Sequence, residues 1–142
     1  MNRAMLNPEE VTRIIVSSTM TMPSEDALND LVIEKCCHTP EKLGCHYVLL
    51  RNGDVLTPVS DDERGNWFSR YGETSIVIVI EGGMNDEGQI SSNYYVGQLN
   101  ALRSITKNLK KKYTTAVVTP HHELFLGVNP VIDKEFFNEE NS

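Results

Sequence analysis

The sequence predicts an α/β fold, a single-domain mixed β-sheet flanked by helices. Three observations carry that expectation. Residues 13–16 and 75–80 are short runs rich in β-branched residues; two other stretches repeat apolar residues every three or four positions; and Asn52-Gly53, a strong hairpin signal, lies between them. The 142 residues suit one domain spanning 1–142 and suffice to bury a sizeable core.

Arg13-Ile14-Ile15-Val16 reads as the first strand, and Thr21-Met22-Pro23-Ser24 as the loop after it, with Ser24 placed to cap a helix. Leu28, Leu31, Val32 and Cys36 fall on one helical face, so a helix is expected over roughly 25–38, stopped by Pro40 and Gly44. Residues 45–50 and 54–56 flank Asn52-Gly53 as two hairpin strands, since this pair tolerates the positive φ of a tight turn. Ser60 to Thr74 is polar, without period, and carries Trp67; it reads as a long surface loop. Ser75 to Ile80 is apolar at every position after its first, as a central strand covered on both faces requires. Val96, Leu99, Leu102, Ile105, Leu109 and Tyr113 mark a second, amphipathic helix. Lys107, Lys110, Lys111 and Lys112 lie largely off that stripe, where they complement the helix dipole or form a docking patch. Ala116 to Thr119 reads as a last strand, and residues 133–142 as an acidic tail.

Twenty acidic against thirteen basic residues leave a net charge of -7, which repels a phosphate backbone, so no nucleic-acid partner is expected. No stretch approaches the ~18 consecutive apolar residues of a membrane span. Met1 to Pro8 holds no continuous apolar run, so it does not read as a secretory signal; a host cytoplasm or a particle assembled there is the expected location. An odd count of three cysteines, two of them adjacent, argues against a disulfide framework. Cys36, Cys37 and His38 diverge by about 100° per residue on a helix and cannot close on one ion. Cys36 is read as core.

Four collinear segments resemble the amidase-type lysozymes of T-odd coliphages, members of the zinc N-acetylmuramoyl-L-alanine amidase (type 2) and peptidoglycan recognition protein superfamily. They are Ile14 to Thr19, Gly44 to Gly53, Ser75 to Gly83 with Asn85 to Gly88, and His121 to Pro130; Gln98 to Ser104 is similar to the family's second helix. The likeness spans about residues 11–135. It implies a zinc ion on three protein ligands with an open position for water. Carried over position by position, those ligands fall at Ser17, His121 and Asn129, of which His121 alone is retained. The family's tyrosine falls at Cys45, its lysine at Gly127, and a histidine of its central loop at Trp67.

Serine and asparagine are poor donors to Zn²⁺ beside imidazole or thiolate, so no zinc and no metal site is expected. The resulting expectation is a catalytically inactive phage pseudoenzyme. It would serve as a protein-binding component, either a virion part or a regulator of an intracellular enzyme such as the RNA polymerase bound by family members. Peptidoglycan binding and an active amidase with an unusual site are the alternatives. Candidate binding residues are Trp67, Phe68, Arg70 and Tyr71, the residue types that dominate binding hot spots, in the long loop. A Cys45 thiol with His121 as its base is a further possibility for nucleophilic chemistry.

Overall fold

A computed structural model describes residues 4–142. Met1, Asn2 and Arg3, which open the segment read as lacking a secretory signal, lie outside the described residues.

The elements in chain order are β1 (Arg13–Ser18), α1 (Ala27–Glu34), β2 (Tyr47–Leu49), β3 (Val55–Leu56), β4 (Ser75–Ile80), α2 (Val96–Lys112), β5 (Val117–Pro120) and α3 (Lys134–Glu140). They build one five-stranded sheet in the order β3-β2-β4-β1-β5. The pairs β2–β4, β4–β1 and β1–β5 are parallel, and only the edge strand β3 runs antiparallel, to β2. The sheet is therefore mixed, as expected. β4 is buried at all six positions because helices or loops cover both faces, which is why residues 76–80 are apolar without a break.

Side chains alternate across the sheet and sort into two cores. On one face Ile14, Val16, Ile76, Ile78, Ile80 and Val118 pack with Leu102, Leu109 and Tyr113 of α2 and with Phe136 and Phe137. On the other face Ile15, Val77 and Val79 pack with Leu31 of α1, Leu43 and Cys45, and Trp67, Phe68 and Tyr71 of the long loop lean on that cluster. Ser17 shares this second face by the same alternation.

Several elements differ from the sequence reading. Asp26, not Ser24, caps α1, its side chain accepting from the amide of Asn29, and the helix ends at Glu34. Beyond it Cys36 and His38 take positive φ of 53° and 68°, which turns Cys36 outward to an exposed position; Cys37 is the one that packs against the core. Residues 133–142 are not a loose tail. Asp133 caps α3 at the amide of Glu135, Phe136 and Phe137 are buried, and Asn141 pairs its side chain with both the amide and the carbonyl of Val118 on β5. The lysines of α2 are structural in part, since Lys112 sits 3.2 Å from Asp61 and Lys110 donates to the Glu140 carbonyl.

The long loop is pinned at its start. Tyr47 and Tyr113 both donate to Asp61, at the carboxylate and the carbonyl respectively. His46 is fully buried, with Nδ1 accepting from the Val77 amide at 3.0 Å and Nε2 bonding the Glu63 carbonyl at 2.8 Å. Asn66 donates its amide to the Gly44 carbonyl at 3.0 Å, and a Cβ on Gly65 would stand 2.4 Å from that same oxygen, so the chain passes where only glycine fits.

Candidate active site

Parallel sheets gather their functional groups at the carboxyl ends of the strands. Here β1 ends at Ser18, β4 at Ile80 and β5 at Pro120, and Ser17 aligns with Val79 while Val16 aligns with Pro120. The chain turns immediately after β5 into a 3-10 turn, His121–Glu123, which brings His121 back across the end of β1. Ser17 Oγ lies 3.0 Å from His121 Nδ1, joining residues 104 positions apart. Because His121 and His122 are in this turn rather than extended, His121 faces the site and His122 is exposed.

Asn129 completes the arrangement. Its side-chain oxygen accepts from the Ser18 amide at 2.6 Å, and its side-chain nitrogen donates to the Ser18 carbonyl at 2.9 Å. Its own carbonyl accepts from the His122 amide at 2.7 Å. Ser18 is further fixed by its hydroxyl, which donates to the Gly82 carbonyl at 2.8 Å. The three positions at which the resembled family holds its metal lie together here: Ser17 bonds His121 directly, and Asn129 is tied to their chain neighbours Ser18 and His122.

An aromatic wall flanks the pair. The His121 ring lies 4.7 Å from Phe125 and 5.5 Å from Phe68, Phe68 stacks on Phe125 at 4.9 Å, and Tyr71 meets Phe125 edge-on at 6.2 Å. The Arg13 guanidinium lies over the Tyr71 ring at 5.3 Å. Burial holds the His121 imidazolium below its usual range, and the neighbouring His122 adds to that, so the ring is neutral near pH 7. Phe68 and Tyr71 also line a hollow of about 510 Å³ that continues along Asn66, Ser69 and Glu73.

The four loop candidates therefore divide. Phe68 and Tyr71 belong to the wall beside His121, whereas Trp67 is half-buried with the Lys35 ammonium 4.3 Å from its ring, and Arg70 is exposed. The loop ring that meets His121 is that of Phe68, not of Trp67. A run of polar loop residues carries no period from which this division could be read.

Cys45 is not a nucleophile. It is fully buried in the second core, and desolvation pushes its thiol up to about 12, so the thiolate is scarce at neutral pH. Gly127 takes φ +118° with nothing within 4 Å of where a Cβ would stand, in an exposed loop that offers no side-chain charge at this point.

These residues do not fit a zinc ion. Both polar atoms of the Asn129 amide are engaged by Ser18, Ser17 is a neutral hydroxyl, and among the described residues no three of His, Cys, Asp and Glu converge as a ligand set. His46 cannot stand in as a ligand, since both its nitrogens are bonded to the backbone. What the arrangement does offer is a hydroxyl bonded to a neutral imidazole, the elements of nucleophilic acyl transfer.

No protein-family model matches the chain. Among curated proteins it is similar to the endolysins of Klebsiella phage KP32, at 31 % identity, and Escherichia phage T7, at 30 %. Each match runs over 99 residues and covers 70 % of this chain and 66 % of the relative, just under two thirds of its length. Among solved structures the chain is similar to the N-acetylmuramoyl-L-alanine amidase LysC from Clostridium intestinale, with a TM-score of 0.71 at 15 % identity, covering 99 % of this chain and 95 % of that one. It is also similar to peptidoglycan recognition protein-LE, solved in complex with tracheal cytotoxin, a monomeric diaminopimelic acid-type peptidoglycan. That likeness has a TM-score of 0.67 at 14 % identity and covers 98 % of this chain and 83 % of that one.

These findings overturn the expectation of a catalytically inactive protein. Relatives about 30 % identical are named endolysins, and the fold is that of amidases, which points to an enzyme. The physical reason is that substituting two metal ligands argues against one mechanism, not against hydrolysis, and the substituted positions here leave a hydroxyl–imidazole pair in the same place. The chain belongs to the phage amidase and peptidoglycan recognition protein superfamily.

Proposed function

We propose that this protein is an endolysin-type amidase that binds the stem peptide of peptidoglycan at the carboxyl ends of β1, β4 and β5 and hydrolyses the amide joining that peptide to the sugar. The observation that carries the reading is the contact of Ser17 with His121 where the family's reaction centre lies, in a chain about 30 % identical to named endolysins. The aromatic wall and the hollow beside it suit a mixed ligand, the rings of Phe68 and Tyr71 taking apolar stems and Glu73 with Asn66 taking polar groups. On this reading the loop candidates serve the wall polymer, with Trp67 and Arg70 forming the outer rim, rather than a polymerase or virion protein. Zinc has no part in it, the donor set being unsuited, and the protein reaches the wall from the host cytoplasm or with the virion.

The test is incubation of purified peptidoglycan with the protein, followed by separation of the products. Release of intact stem peptides, reduced about a hundredfold or more in a folded His121→Ala variant, is expected. Binding to peptidoglycan without any release would overturn the hydrolytic reading.

A further inference from the structure

We propose that amide hydrolysis here proceeds without a metal ion, by acyl transfer to Ser17 Oγ with His121 as the base. The inference rests on the amidase reading and specifies its chemistry. Several independent features hold the pair in place. Ser17 is 4 % exposed and fixed in register against Val79 on the central strand, while Ser18, the next residue, is clamped by Asn129 at both its amide and its carbonyl. Phe68 and Phe125 pack against the imidazole and restrict its rotation. The neutral ring has an acceptor nitrogen at Nδ1 when the proton sits on Nε2, and the 3.0 Å separation from Oγ is within the range over which a base takes a hydroxyl proton.

The steps balance without any redox partner. Ser17 Oγ–H gives its proton to His121 Nδ1 as Oγ bonds to the substrate carbonyl carbon. The imidazolium then returns that proton to the amide nitrogen as the C–N bond breaks, releasing the amine and leaving an ester on Ser17. Water attacks the ester, gives a proton through His121, and releases the carboxylic acid with Ser17 restored.

The experiment treats the full chain, dialysed against a strong chelator, with a small fluorophosphonate probe and maps the labelled peptide by mass spectrometry. Labelling at Ser17, undiminished by chelator and at least about a hundredfold slower in a His121→Ala variant of unchanged circular dichroism, is expected. Labelling absent from Ser17 in the parent protein, or undiminished in His121→Ala, overturns the proposal. The same protein is assayed on peptidoglycan. Hydrolysis abolished by chelator and restored by Zn²⁺ overturns the metal-free route and leaves the amidase reading intact; Ser17 labelling without release of stem peptides does the reverse.

Discussion

Asn129 shows how a single side chain can take over the bracing that a bound ion gives its ligands. Its amide makes two hydrogen bonds to the backbone of Ser18, at 2.6 and 2.9 Å, and so ties the loop after β5 to the end of β1. Each such bond contributes a net 0.5–1.5 kcal/mol, so Asn129→Ala should lower stability by about 1–3 kcal/mol in urea denaturation. An unchanged midpoint would mean that the clamp holds nothing. The same convergence makes a gain-of-metal prediction. Ser17→His with Asn129→Cys places two imidazoles and a thiolate around one point, and metal analysis after dialysis should find about one zinc per chain in the double variant and far less in the parent. A folded double variant that binds zinc no better than the parent would show that the three positions do not aim at a common centre. Ser17, His121 and Asn129 were legible in the sequence only through the resemblance. The contact between Ser17 and His121 was not, because the pair is separated by 104 residues and the turn that redirects His121 leaves no periodic trace.

Among the elements, those with a strong local signal were readable. β4 matches its expected span because burial on both faces demands an unbroken apolar run, and α2 begins at Val96 as its stripe requires, although Val96 itself is 73 % exposed at the helix start. The start of α1 was misplaced because Ser24 and Asp26 are both good caps and only the tertiary structure selects Asp26. α3 was missed since seven residues with two adjacent aromatics give no helical period, and its stability comes from docking instead. That origin is testable. Phe136 is 5 % exposed against the α2 side of the sheet, so Phe136→Ala should cost about 3–5 kcal/mol, whereas a surface ornament would tolerate the change. Gly65→Ala should likewise be destabilising, because the added methyl meets the Gly44 carbonyl rather than a movable side chain, and the strain would appear as a lowered melting temperature.

For the molecule as a whole, burial of ionisable groups makes stability fall at alkaline pH. The Cys45 thiol is raised from 9.0 to about 12 by desolvation, and the Tyr47 hydroxyl is raised by burial and then by Asp61, so in both cases the fold favours the protonated form. The stabilisation due to Cys45 is therefore complete below about pH 9 and is lost as pH rises through about 12. Alkylation offers a direct check: at pH 8 exposed Cys36 should react with iodoacetamide while Cys45 stays protected until the protein unfolds. Equal rates at the two sites would contradict the packing of the second core.

The position of β1 bears on how the chain reaches this fold. Of the five strands β1 is made before the others and lies between β4 and β5, which begin at Ser75 and Val117, so the sheet cannot close around β1 until the chain has been synthesised past residue 120. Contacts so distant in sequence carry a large loop-closure cost before any packing rewards it, which places folding in the slow, millisecond-to-second range of non-local topologies. A ribosome-bound nascent chain stopped at residue 115 should thus be degraded rapidly by protease, its apolar first strand still without one neighbour, and protection should appear only once β5 has cleared the exit tunnel.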